Sequence, residues 1–233
     1  MPGAILYQGP SLFDGKPIVV IGIWASKNSK TGDMLQTYII RSDIDPREAN
    51  KDGEDESICG KCRHRGVPTF DPLKKLADKR TCYVTLGQGP LTVFNEFIAG
   101  AYPNCTTRQT RRAIGRKRKV RIGTYGDGAA APSYVWDDLL FSAEGHTAYT
   151  HNGGDPARYM VSADTLAEAK QAWASKHRTF RVIPIGAAPE PEETMCPSLK
   201  GVHCKDCMLC GGKHATAKSI VIPVHGSGAV HFQ

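Results

Sequence analysis

The 233-residue chain contains no apolar run approaching the roughly 20 residues that a membrane-crossing helix needs. Its longest apolar stretches, Pro17 to Trp24 among them, have the length of strands. The opening MPGAILYQGPSLFDGK lacks a basic segment and an apolar core, which reads as no secretory signal and a cytoplasmic protein with no membrane partner. Acidic residues are absent between Arg108 and Ile122, where eight Lys and Arg crowd into one block. The net charge is +7, so the rest of the chain is close to neutral and the basicity is local. No Phe, Tyr or Trp interrupts that block, so it has no stacking surface for single strands. Phosphate contact by the Arg108–Arg121 block is then a matter of charge alone. With 40% apolar and 23% charged residues the chain is not disordered, and its length suffices for a real core.

Cysteine is plentiful. There are eight, and their spacing is uneven: Cys196-x7-Cys204-x2-Cys207-x2-Cys210 near the end, the pair Cys59-x2-Cys62, then Cys82 and Cys105. Close x2 pairs aim two thiolates at one ion, so metal ligation is the expected use rather than a disulfide framework. Three cysteines in consecutive x2 steps beside a Cys-Pro resemble a ferredoxin-type run more than two zinc knuckles. One [4Fe–4S] cluster on Cys196, Cys204, Cys207 and Cys210 is therefore expected, with zinc as the alternative. Cys59, Cys62 and Cys82 make a second expected metal and cofactor site. Three thiolates on a cubane leave one iron open for S-adenosylmethionine or another small-molecule ligand. Cys105 is either a fourth ligand there or a free thiol. His203 and His214 read as loop histidines or zinc ligands, and Arg63, His64 and Arg65 as a basic loop or as groups tuning a cluster.

Hydrophobic patterning predicts strands at Ile18–Trp24, Gln36–Ile40, Val120–Tyr125, His146–Thr150, Arg158–Ala163, Phe180–Ile185 and Ser219–Val224, with a short β-prone run at Cys82–Leu86. Helices are expected over Leu91–Ala99, Pro132–Ala143 and Leu166–Lys176, the last capped by Asp164 and Thr165. Arg41 to Ser57 reads as a loop. Alternating strands and helices imply an α/β protein with a mainly parallel sheet. Polar loops after nearly every strand favour a partial or distorted (β/α) barrel with a Cys-rich C-terminal cluster loop. The chain divides as one domain over 1–233: strands and loop over 1–57, a (β/α) core over 58–186, and the Cys-rich loop with a last strand over 187–233. Strand ends then supply the candidate catalytic groups Asp127, His151, Asn152 and His225 on one rim, with Asp164 as a cap residue.

The ordered set Asn28-x-Lys30-x-Gly32, a Cys pair, Cys82-Tyr83, Val120-Arg121-Ile122, Gly126-Asp127, Trp136, Ala148-Tyr149-Thr150-His151-Asn152 and Cys196-Pro197 with a terminal His225 resembles the bacteriophage-encoded "gene product 88" family of radical-SAM-like proteins. The resemblance spans roughly Asn28 to His225. It implies a radical-SAM-like scaffold, bound iron–sulfur clusters, redox or radical chemistry on an unknown substrate, and the cytoplasm of an infected bacterium. By motif it places a first cluster on Cys59, Cys62 and Cys82, and an auxiliary one on Cys196, Cys204, Cys207 and Cys210. The competing expectation is a zinc-stabilised protein that binds nucleic acid or a host partner without catalysis.

Overall fold

The computed structural model describes residues 3–24, 31–212, 217–225 and 229. Asn28, Lys30 and His214, singled out above, lie outside the described residues. A first sheet has the order β1 (Gly3–Pro10), β2 (Pro17–Ile23), β3 (Leu35–Arg41), β4 (Lys119–Tyr125), β5 (Gly145–Thr147). β1, β2 and β3 pair antiparallel, and β4 and β5 join them in parallel. β2 is a continuous β-branched run because both of its faces are covered: Ile18, Val19, Val20 and Ile21 are all fully buried.

The second sheet is wholly parallel. It comprises β6 (Tyr149–Thr150), β7 (Met160–Ala163), β8 (Thr179–Ile183), β9 (Glu193–Met195) and β10 (Ser219–Pro223), in the order β6-β7-β8-β10-β9. The two sheets follow one another along a single stretch of chain and break at Ala148, whose N–H is donated to the Cys210 carbonyl at 2.9 Å.

Two five-stranded sheets replace the expected (β/α) barrel. The antiparallel β1–β3 unit cannot be a run of (β/α) repeats. Among the described residues the outer strands β1 and β9 do not pair, so nothing closes. The apolar patterns located most strands, but β1 and β9 went unread and Cys82–Leu86 forms no strand.

The helices are α1 (Pro46–Lys51), α2 (Glu56–Cys59), α3 (Gly89–Ile98), α4 (Arg108–Gly115), α5 (Ser133–Leu140), α6 (Leu166–Ala174) and α7 (Cys204–Cys207). None is long and apolar enough to cross a membrane. The supposed loop 41–57 holds α1 and α2, and the basic block opens as α4, capped by the Thr107 hydroxyl on the Thr110 N–H. The main core is built around the first sheet. Trp136, Val135 and Leu139 of α5 are fully buried in it with Leu6, Ile21, Leu35 and Ile39 of the sheet, Ile58 of α2 and Val93 of α3, and Trp136 Nε1 donates to Gly128 O at 2.8 Å.

α4 and α5 pack backbone to backbone at Gly115, where a Cβ would collide with the Leu139 carbonyl. Gly115→Ala should therefore cost about 1–3 kcal/mol in urea unfolding, by the overpacking rule. Gly87→Ala, with nothing near the added methyl, should be close to neutral. Equal stability of the two variants would remove this packing account.

Candidate metal centre

The chemistry-bearing residues meet at a cavity of about 530 Å³ walled by both sheets: Arg121 and Tyr125 of β4, Thr147 of β5, Tyr149 of β6, Ser162 of β7, Phe180 of β8 and Ile222 of β10 all face it. The segments around Cys59, Cys82 and Cys204 complete the wall. Cys59, Cys62, Cys82, Cys196, Cys204, Cys207 and Cys210 all line it, whereas Cys105 does not. None of the eight cysteines is in a disulfide.

Among the described residues one group of three potential metal ligands converges: His64, His151 and Asp164, whose ligand atoms lie within 4.8 Å of one another. His64 stands in the 3-10 turn after Cys62, His151 just beyond β6 and Asp164 just beyond β7. His64 Nε2 is 3.0 Å and His151 Nε2 3.2 Å from the same Asp164 Oδ1. The two rings meet edge to face at 5.6 Å. His64 Nδ1 lies 2.6 Å from Thr81 Oγ1, and Arg63 Nε lies 3.2 Å from Asp164 Oδ2. All three ligands are partly buried and line the cavity.

Electrostatics reinforce the grouping. Burial alone would lower the His151 pKa, but its hydrogen bonds to Asp164 and Cys62 outweigh this and push it to about 10. Burial would raise Asp164, yet the hydrogen bonds from His151 and His64 hold it well below the usual carboxylate range.

The [4Fe–4S] expectation is corrected by this geometry, and with it the Cys-rich cluster loop, the S-adenosylmethionine site and the iron–sulfur or radical assignment. No three described thiols fall within the 4.8 Å that the imidazoles and carboxylate satisfy. The C-terminal cysteines are spread over a 3-10 turn and the short α7, and Cys196 Sγ instead faces Ser198 Oγ at 3.1 Å. The donors that do converge are nitrogen and oxygen, which suit a single borderline or hard cation.

Of the predicted rim, His151 is a member of the triad. Asp127 is its scaffold: buried, with Oδ2 taking the Thr150 hydroxyl at 2.9 Å, the His151 N–H at 3.0 Å and Asn152 Nδ2 at 2.7 Å. Burial raises the Asp127 pKa. Asn152 also donates to Cys59 O at 3.0 Å and accepts from the Lys61 N–H at 2.7 Å, tying the first cysteine loop to the end of β6. His225 is exposed at the rim, stacked against Tyr83 at 6.3 Å. His203 has a buried Nδ1 without a hydrogen-bond partner and belongs to no ligand group.

Asp164 is not the helix cap. Thr165 caps α6, with Glu168 returning to the Thr165 N–H. That T-x-x-E capping box was visible in the sequence and left the Asp164 carboxylate available.

The basic block divides in several directions. Arg108, Arg111 and Arg112 reach Asp138, Arg118 lies over Trp24, Lys119 Nζ donates to Lys205 O at 2.7 Å, and Arg121 faces the cavity. Comparison with protein-family models, with curated proteins and with solved structures found no match for this chain.

Proposed function

We propose that the chain is a metal-binding protein that holds one divalent cation of the zinc class on His64 Nε2, His151 Nε2 and Asp164 Oδ1. The observation that carries this reading is the convergence of three ligand atoms on a cavity wall, His64 from 100 residues before Asp164 and His151 from 13 before it. Ligands at about 2.0–2.1 Å from a tetrahedral zinc stand about 3.3 Å from one another, close to the 3.0 and 3.2 Å separations here. Thr81 would fix the His64 ring by accepting from Nδ1–H and leaving Nε2 to the ion, the usual outer-shell arrangement. Such an ion pins the 62–65 turn of the first half to the strand ends of the second sheet. With three protein ligands it keeps a position open toward the cavity.

This is the zinc-stabilised binding reading. Nucleic-acid contact through the Arg108–Arg121 block draws no support from side chains that point to Asp138, Trp24, Lys205 and the cavity.

The test is cobalt substitution. Metal-free protein titrated with Co²⁺ should take up one ion per chain. Its visible spectrum should show weak d–d bands without the intense near-ultraviolet thiolate-to-cobalt band, and alkylating the cysteines should leave the stoichiometry unchanged. A strong thiolate band, or no uptake, would sink the proposal.

A further inference from the structure

β4 is an inner strand of the first sheet, paired with β3 at Gln36↔Arg121 and with β5 at Arg121↔Thr147, so its backbone beside the cavity is held on both sides. Three buried polar atoms of this strand have no hydrogen-bond partner: Arg121 Nε, Thr124 Oγ1 and Tyr125 OH. All three residues line the cavity. Native proteins rarely keep buried donors unpaired.

Arg121 is the extreme case. Its Nη2 donates to the Tyr83 hydroxyl at 2.7 Å. It forms no ion pair, and all 23 acidic residues of the chain lie within the described segments, so no side-chain carboxylate is left to supply one. The other arginines of the same block show what the chain does when it means to neutralise one: Arg108, Arg111 and Arg112 all reach Asp138. Tyr83, Tyr149, Cys204 and Cys210 surround the guanidinium; Tyr83 first among them moves its pKa up, against the downward pull of burial. A fixed, unpaired guanidinium in the wall of a cavity of small-molecule size is the preorganised half of a charge-assisted, fork-type contact.

We propose that the Arg121 end of the cavity is an anion subsite that takes the carboxylate or phosphate group of a small organic molecule. Thr124 and Tyr125 offer hydroxyls to acceptors on the body of the same ligand, further along the strand. The subsite shares the cavity of the proposed metal centre and does not depend on an ion being bound.

The experiment uses full-length protein stripped of metal on a chelating resin and titrated calorimetrically with inorganic phosphate and, separately, with oxalate. Saturable binding of at least one anion is expected. Arg121→Met should weaken it at least tenfold, and Arg121→Lys should recover most of that loss. The tighter of the two probes assigns the group as phosphate or carboxylate. If Arg121→Met does not fold, the wild-type protein gives the same answer: phenylglyoxal labelling read by peptide mass spectrometry should show Arg121 protected by the anion while exposed Arg108 is labelled as before. No saturable binding of either probe, undiminished binding by Arg121→Met, or labelling of Arg121 unaffected by the anion overturns the proposal. Anion binding that persists in a protein unable to take up cobalt would remove the metal reading and leave this one standing.

Discussion

Asp164→Ala should abolish tight zinc uptake while leaving the fold in place. The carboxylate is the point on which both imidazoles converge, so its removal deletes a ligand and the acceptor that orients the other two. Losing an outer partner of a metal site costs about 10–100-fold in affinity, and losing this ligand should cost more than that. Thr81→Val, which removes the His64 Nδ1 partner and keeps the shape, should fall inside the 10–100-fold range. In thermal unfolding, zinc at a hundred times its Kd stabilises a one-site protein by about 2.7 kcal/mol. That shift should vanish in Asp164→Ala. The α6 cap rests on Thr165 and Glu168, so the metal-free variant should retain the wild-type helical signal. Wild-type zinc affinity in Asp164→Ala would rule out the triad as the site.

Asp138→Asn should be the most damaging single change outside the cavity. Asp138 is buried. Its Oδ2 accepts from Arg111 at 2.8 and 3.2 Å, and Oδ1 faces Arg108 and Arg112 at 3.3 Å each. Arg111 is itself buried and also donates to the Leu6 and Thr106 carbonyls, binding β1 to the α4–α5 pair. Removing the carboxylate's charge strands a buried cation, a change that costs about 3–5 kcal/mol. At roughly 2–4 °C per kcal/mol for a chain of this size, the melting temperature should fall by roughly 10 °C.

The pH dependence follows from the same group. Burial raises the Asp138 pKa, but Arg111, with Arg108 and Arg112, more than offsets this and the net direction is down. Its contribution is therefore fully present above the unfolded carboxyl value of about 4 and is lost as the pH falls through the lower folded value. Asp138→Asn should flatten that part of the acid limb. Arg108→Ala removes a largely exposed partner and should stay within about 1 kcal/mol of wild type. An Asp138→Asn protein as stable as wild type would show that the arginine cluster is surface decoration.

What could be read beforehand follows from what local sequence encodes. β2, β3, β4, β8 and β10 are apolar or β-branched runs, and α5 and α6 carry apolar faces at helical spacing, so each announces itself. Strand direction is not local. The same runs serve an antiparallel or a parallel neighbour, and reading the strands as mainly parallel turned two sheets into a partial barrel. Net charge likewise says nothing about where a guanidinium points, so a helix whose Arg111 is buried on Asp138 read only as a block of charge that could meet phosphate.

The site was legible in part. The cysteine spacing and the polar strand ends did find the walls of the cavity, because strand C-termini in parallel sheets gather there. The converging ligands were missed in two of three cases. His64 sits between two arginines that drew attention to charge, and Asp164 sits beside a cap residue that drew attention to local structure.

The break at Ala148 has a consequence for observing this molecule in solution. The Ala148 carbonyl accepts from Met160 at 3.0 Å, as a strand residue would, but its amide is tied to Cys210 O at 2.9 Å. The chain from Cys196 to Gly212 thus lies across the seam between the sheets, with Arg178 also holding the Gly212 carbonyl at 2.8 Å. That single amide proton is a gauge of the loop. In hydrogen–deuterium exchange it should report the free energy of lifting this loop, separately from the slower exchange of β2 and β3, which require global opening. Any small molecule bound beneath the loop should slow exchange at Ala148 before it changes anything in the central strands.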